Sequence, residues 1–414
     1  MILILAIKNQ FCANDVITVS LNLRNEVHLY KDVFGGMYSS VRRFHSSLLL
    51  EREDCNMDYT LIIKLTNNCN LNCSYCYHRQ DKSRNMQLSL TLEQIDLMIR
   101  QLMRHNERRA QFIWHGGEPL LAGIDTFRFI ADKQKEYNTK NLIVSNSVQT
   151  NGTLLDEEYI EFFKKNNFSI GISIDGPYRY HAEKRGTTQA EYDTILNSID
   201  SINRAGARLG TLCVIGKHHL GHAKEIIDLL TDHQIAHIGF LPCLVIGEDQ
   251  EIDTSTTLSP EEYGCFMMEL FDAWCSSGNE CLSIRNFDDC IRFFRGKRAR
   301  NCTSCHECGD YLTVTPDGGI YLCDNFSATE NHRVGCLEEG FSGIEDTLPM
   351  KWLKAALNNI PSGCEKCRYF KACFGGCIYQ RWIADPSMSG KQYYCGAFQK
   401  MYDYIGQKIQ ESVK

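Results

Sequence analysis

The sequence has no excess of basic residues. Its 44 Lys and Arg stand against 51 Asp and Glu, giving a net charge of −7 over 414 residues, with the signs scattered along the chain. No cationic footprint for nucleic acid results. Long apolar runs are also missing: the opening MILILAI is short, has no basic flank before it and is followed by Lys8. Neither a membrane span nor an export signal is expected, and a cytoplasmic protein is. Without an export signal, the 21 cysteines, an odd number, read as reduced thiols serving metal clusters. A disulfide framework belongs instead to small secreted chains. The expected compartment is reducing and protected from oxygen. An apolar content of 43% allows a substantial core and two or three domains.

The densest chemistry lies in Cys69-Asn70-Leu71-Asn72-Cys73-Ser74-Tyr75-Cys76, directly after the apolar run Tyr59 to Leu65. Three thiolates within eight residues, with no fourth cysteine nearby, suit an iron–sulfur cluster whose fourth iron stays open to a substrate. A structural zinc site would close all four positions. A zinc loop and a buried group of thiols are the alternatives.

Residues 1–56 read as short β-rich pieces, expected to form a cap or a small peptide-recognition segment. Over 57–246, short apolar runs alternate with longer amphipathic segments, the pattern of repeated βα units on a parallel sheet. Strands are expected at 61–65, 111–114, 142–148, 169–174, 210–215 and 237–241. Helices are expected at 92–105, 124–137, 156–166, 190–205 and 223–233. Each strand end carries something polar or conformationally special: His115-Gly116-Gly117-Glu118-Pro119, then Gln149-Thr150-Asn151-Gly152, then Ser173-Ile174-Asp175-Gly176-Pro177. Paired glycines let a backbone approach a ligand, and Glu118 can accept from an ammonium. A connector, 247–300, holds the helix start Ser259-Pro260-Glu261-Glu262 and a basic run, Arg292 to Arg300. The stretch 301–414 is rich in cysteine, with Cys302, Cys305, Cys308, Cys323, Cys364, Cys367, Cys373, Cys377 and Cys395.

At the triplet, with aromatic Tyr75 before Cys76, the sequence resembles the radical S-adenosylmethionine (SAM) superfamily. The resemblance covers about residues 57 to 400. It implies a partial (β/α)6 TIM barrel, an α/β fold with its chemistry at the C-terminal strand ends. It also implies a [4Fe–4S] cluster on Cys69, Cys73 and Cys76 that binds SAM and generates a hydrogen-abstracting 5′-deoxyadenosyl radical. Gly116, Gly117 and Glu118 resemble the family's GGEP motif, which contacts the methionine amino group, and Gln149 and Asn151 join the candidate SAM contacts. Ser173 would reach the ribose or carboxylate, Asp175 the ribose hydroxyls and Arg185 the SAM carboxylate. Residues 212–215, ending at Ile215, and Phe240 to Leu241 would wall the adenine.

The C-terminal cysteines are similar to the SPASM extension of peptide- and protein-modifying radical SAM enzymes. By that resemblance Cys302, Cys308, Cys323 and Cys377 hold one auxiliary [4Fe–4S] cluster and Cys364, Cys367, Cys373 and Cys395 a second, with Cys305 able to replace Cys302. A pair of zinc ribbons is the alternative. The other ten cysteines are expected to be buried small hydrophobes. Auxiliary clusters fit a reaction that must dispose of an electron, hence a net oxidation. Asp324 resembles the aspartate that anaerobic sulfatase-maturating enzymes place after such a cysteine, a candidate general base.

The expected activity is that of a radical SAM oxidoreductase that modifies a ribosomally made precursor peptide, leader and core. It would abstract a side-chain β-hydrogen and crosslink that carbon to an aromatic residue, as the cyclophane-forming and darobactin-type maturases do. Formylglycine formation in a sulfatase is the alternative, and a non-catalytic Fe–S or zinc partner-binding protein a distant one. A reductant such as flavodoxin or ferredoxin is the other expected partner.

Overall fold

The computed structural model describes residues 58–77, 87–246 and 251–413. The expected N-terminal segment 1–56, Cys12 and Cys55, and the first part of the acidic stretch after Ile246 lie outside the described residues.

Alternation along the first half builds the sheet. In β1 (Thr60–Lys64) Leu61 and Ile63 are buried, and the chain then enters the cysteine loop. Helix α1 (Leu92–His105) starts at a capping box in which the Thr91 hydroxyl accepts from Gln94 N and the Gln94 side chain accepts from Thr91 N. Its buried residues Ile95, Met98, Ile99, Leu102 and Met103 make one stripe at helical spacing. There follow β2 (Arg109–His115), α2 (Ile124–Tyr137), β3 (Ile143–Thr150), α3 (Glu157–Lys165) and β4 (Phe168–Ser173). Then come α4 (Tyr178–Arg185), α5 (Gln189–Ala205), β5 (Arg208–Ile215), α6 (Ala223–Asp232) and β6 (His237–Pro242). These six strands pair parallel in sequence order, the α/β partial barrel that the pattern predicts.

Helices cover the outer face of the sheet. Phe127 of α2, Phe163 of α3 and Phe168 of β4 are buried together, Phe127 meeting Phe163 edge-on at 5.2 Å. Burial of one such ring stabilises by about 1.5–3 kcal/mol, so this wall fixes α2 and α3 against the sheet.

The connector does more than link. Helix α7 (Pro260–Ser276) begins at a Ser259/Glu262 capping box with Pro260 in its first turn. Next is a two-residue strand, β7 (Ser283–Ile284), which pairs parallel with β6 and adds a seventh parallel strand. Helix α8 (Arg285–Phe294) follows. The cysteine-rich part contains α9 (Cys302–Cys305), β8 (Tyr311–Val314), β9 (Gly319–Tyr321), β10 (Arg333–Cys336), α10 (Leu348–Asn358), α11 (Phe370–Cys373), α12 (Ile378–Ala384) and α13 (Cys395–Val413). Strand β8 pairs parallel with β1 on the edge opposite β2, and β9 and β10 continue antiparallel from it. Among the described residues, one ten-stranded sheet therefore joins both halves. Helix α13 packs back on α7, where the Tyr394 hydroxyl donates to the carbonyl of Leu258 at 3.1 Å. Among the described residues no helix is long and apolar enough to cross a membrane.

Candidate functional site

The cysteine loop leaves β1 and is held from three sides. Behind it lies the Gly-Gly turn after β2. A Cβ on Gly116, whose φ is +132°, would stand 2.4 Å from the Thr66 carbonyl oxygen, and one on Gly117 would stand 2.0 Å from that of Asn68. Glycine is required at both. The amides of Gly117 and Glu118 donate to the Thr66 and Asn68 carbonyls, each at 2.8 Å. The close approach that the glycines permit is therefore to the protein's own loop.

Glu118 faces inward. It is fully buried, and its carboxylate accepts from Leu120 N at 3.1 Å, the Thr150 hydroxyl at 2.6 Å and Asn151 N at 2.8 Å. Burial pushes its pKa up to about 7 against those three donors. The carboxylate ties β2 to the end of β3. Asn151 extends this tie to the cysteine loop, its Nδ2 donating to Asn70 Oδ1 at 2.8 Å, while Asn70 Nδ2 donates to the Thr153 hydroxyl.

The third support is a buried ion pair. Asp175, fully buried, accepts from Arg185 Nε at 2.7 Å and Nη2 at 3.0 Å, from the Tyr75 hydroxyl at 2.6 Å and from Val214 N at 2.9 Å. Burial alone would raise its pKa, but the Arg185 guanidinium and these donors hold it well below the usual carboxylate range. Asp175 and Arg185 thus bind each other, and through Tyr75 they grip the cysteine loop. A backbone hydrogen bond from Ser74 N to Lys184 O at 2.7 Å adds to the grip. The three thiols lie in one another's field: burial pushes Cys73 up to about 11, with Arg185 opposing and Cys76 and Cys69 adding to the rise. Inside the barrel Gln149 Nε2 donates to Ser173 Oγ at 3.0 Å across adjacent strand ends, and Ile215 is buried at the end of β5.

The C-terminal thiols act on one another electrostatically. Burial raises the Cys308 pKa, and the neighbours that add to the rise are Cys377, Cys323 and Cys302. Burial pushes Cys373 up to about 12, with Cys395, Cys364 and Cys367 adding to it. The second four line one cavity with Tyr369 and Tyr402. Cys305 is buried in α9, and the cysteine beside it is Cys302. Every cysteine among the described residues is a free thiol. Of those expected to be buried, Cys213, Cys243, Cys290 and Cys305 are, whereas Cys265 and Cys281 are exposed. No three His, Cys, Asp or Glu side chains among the described residues come close enough to hold a single metal ion.

Asp324 opens a short 3-10 turn directly after Cys323. Its Oδ1 is 3.2 Å from Lys64 Nζ, and its Oδ2 accepts from the Tyr77 hydroxyl at 2.5 Å. Lys64 and His115 are paired neighbours at the C-terminal ends of β1 and β2. Burial lowers the pKa of His115, with Asp324 pulling the other way and Lys64 adding to the fall. The sequence reading missed Lys64 and Tyr77. The signal for Lys64 was a lysine inside the otherwise apolar 61–65.

A parallel partial barrel with a three-cysteine loop at its first strand and cysteine groups behind it defines a radical SAM enzyme, and the chain belongs to the Radical SAM superfamily, whose profile matches residues 63–230. Its similarity to particular relatives runs further. It is 30% identical over 359 residues to the cysteine-type anaerobic sulfatase-maturating enzyme of Clostridium novyi, covering 83% of this chain and 94% of that one. To the serine-type enzyme of Klebsiella aerogenes it is 28% identical over 345 residues, 81% of this chain and 82% of the other. Among solved structures, native anSMEcpe with bound AdoMet is similar with a TM-score of 0.77 and 26% identity, covering 86% of this chain and 99% of that one. SuiB of Streptococcus suis bound to S-adenosylmethionine matches with a TM-score of 0.60 and 15% identity, covering 89% of this chain and 86% of the other. That level shows the shared fold alone.

These relatives overturn the expected crosslinking activity. Sulfatase maturases of both types match along more than four-fifths of the chain, whereas SuiB matches in fold. The Gly-Gly turn with Glu118, and Thr150 and Asn151 after β3, brace the cysteine loop. Such bracing is independent of the substrate.

Proposed function

We propose that this protein is an anaerobic sulfatase-maturating enzyme that oxidises a cysteine or serine side chain of a sulfatase polypeptide to formylglycine. The observation that carries this reading is Asp324, held at the ends of β1 and β2 between Lys64 and Tyr77, in a chain similar to maturases of both types.

Cys69, Cys73 and Cys76 would hold the SAM-binding [4Fe–4S] cluster. Cys302, Cys308, Cys323 and Cys377 would hold one auxiliary cluster, and Cys364, Cys367, Cys373 and Cys395 the other. The donor chemistry fits: three cysteines share one loop, Cys364, Cys367, Cys373 and Cys395 line one cavity, and thiolates are the ligands that iron–sulfur clusters take. When bound, these groups supply the radical that removes a hydrogen atom and the acceptor for the electron left behind. Gln149, Ser173 and Ile215 are the residues we assign to SAM itself. Glu118, Asn151, Asp175 and Arg185 support the loop from behind.

Oxidation of a –CH2–XH side chain to –CH=X removes one hydrogen atom from carbon, one proton from X and one electron. Asp324 accepts the proton, and the substrate's thiol or hydroxyl takes the place at Oδ2 that the Tyr77 hydroxyl now fills. With a cysteine substrate, water then replaces sulfur and hydrogen sulfide leaves. A low-potential reductant such as flavodoxin or ferredoxin would start the cycle.

The test is anaerobic incubation of the reconstituted protein with SAM, a reductant and a sulfatase-derived peptide carrying cysteine or serine, with aldehydes trapped by a hydrazine reagent. A hydrazone at that residue, formed together with 5′-deoxyadenosine, is the expected result. An unmodified or crosslinked peptide beside accumulating deoxyadenosine overturns the reading.

A further inference from the structure

A lysine ammonium is rarely withdrawn from water unless it is paired. The Lys64 side chain is 4% exposed, and it points from the end of β1 onto the turn that begins at Asp324. Two tethers run from its nitrogen. One is the ion pair with Asp324 Oδ1 at 3.2 Å. The other is a donation to the Ser327 hydroxyl at 2.5 Å, which itself donates to the Asp324 backbone carbonyl at 2.6 Å. The carboxylate and the main chain of the same aspartate are thus both fixed by one ammonium, and the Tyr77 ring lies 5.2 Å from it.

We infer that Lys64 is a positioning residue that couples hydrogen abstraction to proton removal by holding the Asp324 carboxylate with Oδ2 turned to the substrate. The inference rests on the sulfatase-maturase reading. The geometry leaves Oδ1 on the ammonium and Oδ2 on the Tyr77 hydroxyl, so a donor that displaces Tyr77 meets one oxygen in a fixed direction. Proton transfer needs contact at about 2.6–3.2 Å, and a misplacement of about 1 Å costs about a hundredfold in rate. Without Lys64, the turn keeps its backbone hydrogen bonds from Phe326 N to Cys323 O and Ser327 N to Asp324 O, while the carboxylate loses its anchor.

The experiment measures formylglycine formed per 5′-deoxyadenosine released, and iron per chain, in the wild type, Lys64→Met, Lys64→Arg and Ser327→Ala. Lys64→Met is expected to keep its iron and its deoxyadenosine formation while the product ratio falls about tenfold or more. Lys64→Arg is expected to retain a larger share of the ratio than Lys64→Met. An unchanged ratio in Lys64→Met overturns the inference. Where Lys64→Met loses iron or fails to fold, Ser327→Ala decides: a lowered ratio with full iron supports the inference, and a wild-type ratio overturns it. A wild type that makes deoxyadenosine but no aldehyde removes the maturase reading and this inference with it. A wild type that makes aldehyde, beside a Lys64→Met variant of equal ratio, removes the inference alone.

Discussion

The barrel and the cysteine-rich region share one sheet yet are stabilised in different ways. Barrel helices such as Leu92–His105 and Gln189–Ala205 run 14 and 17 residues, with apolar stripes buried on strands whose alternate side chains are buried. Beside its longer helices Leu348–Asn358 and Cys395–Val413, the cysteine-rich region has the helices Cys302–Cys305 and Phe370–Cys373 of four residues each and the strand Gly319–Tyr321 of three. Segments this short bury little area and are not stable alone. They are organised around thiols, whose ligand bonds would supply the missing folding energy. With the cluster assignment proposed above, the difference predicts separate duties for similar-looking cysteines: those of the barrel loop would carry chemistry on a scaffold that stands without them, and those behind it would help to hold their region together.

The comparison breaks most sharply at the first group. Replacing Cys69, Cys73 and Cys76 by alanine is expected to reduce 5′-deoxyadenosine to background while leaving the thermal midpoint of the protein nearly unchanged. A large fall in that midpoint would show the loop to be structural. Within the barrel scaffold, Asp175→Asn leaves the Arg185 guanidinium buried without its counter-charge and should cost about 3–5 kcal/mol by denaturant unfolding. An effect below about 1 kcal/mol would mean that the pair is not what fixes the loop. In the other region, Cys373→Ala should speed limited proteolysis between residues 360 and 400 and lower iron content, with the barrel fragment persisting. Uniform protection would erase the contrast.

The smallest expected effect is on pH dependence, where the two buried barrel carboxylates act with opposite signs. Glu118 has a folded pKa of about 7, above the ordinary value of about 4.3. The folded state therefore binds more protons, and stability falls as pH rises from about 4 to about 7. Asp175 lies below its ordinary range. Its contribution is present above that range and is lost as pH falls through the lower, folded value. Chemical denaturation from pH 4 to 8 should show a downward slope that Glu118→Gln flattens. A slope that survives the substitution would place its origin elsewhere.

Much of the barrel was legible because its residues report on local geometry. The helices expected at 92–105 and 124–137 occupy those residues, and the six strands lie within a few residues of expectation. Helix α4 (Tyr178–Arg185) was not legible, since its buried residues Tyr180, His181 and Arg185 form no apolar stripe. Strand β7 has two residues, too few for a period. The pairing of β8 with β1 joins segments about 250 residues apart, and no local pattern marks it. In the site, the three-cysteine loop could be found from spacing, and the C-terminal thiols and Asp324 from their resemblance to the SPASM extension and the sulfatase maturases. The inward turn of Glu118 and the mutual engagement of Asp175 and Arg185 could not, because sequence shows that a group can bind but not which partner reaches it first.

By itself the sequence determined the parallel α/β scaffold, the three-cysteine loop and the supply of thiols behind it, because periodicity and close spacing act over a few residues. Tertiary structure decided that the Gly-Gly turn, Glu118 and the Asp175–Arg185 pair brace the loop, and that Cys364, Cys367, Cys373 and Cys395 line one cavity. It also decided that Lys64 reaches Ser327 across 263 residues of chain. Burial strengthens such contacts, and burial exists only once distant segments have packed.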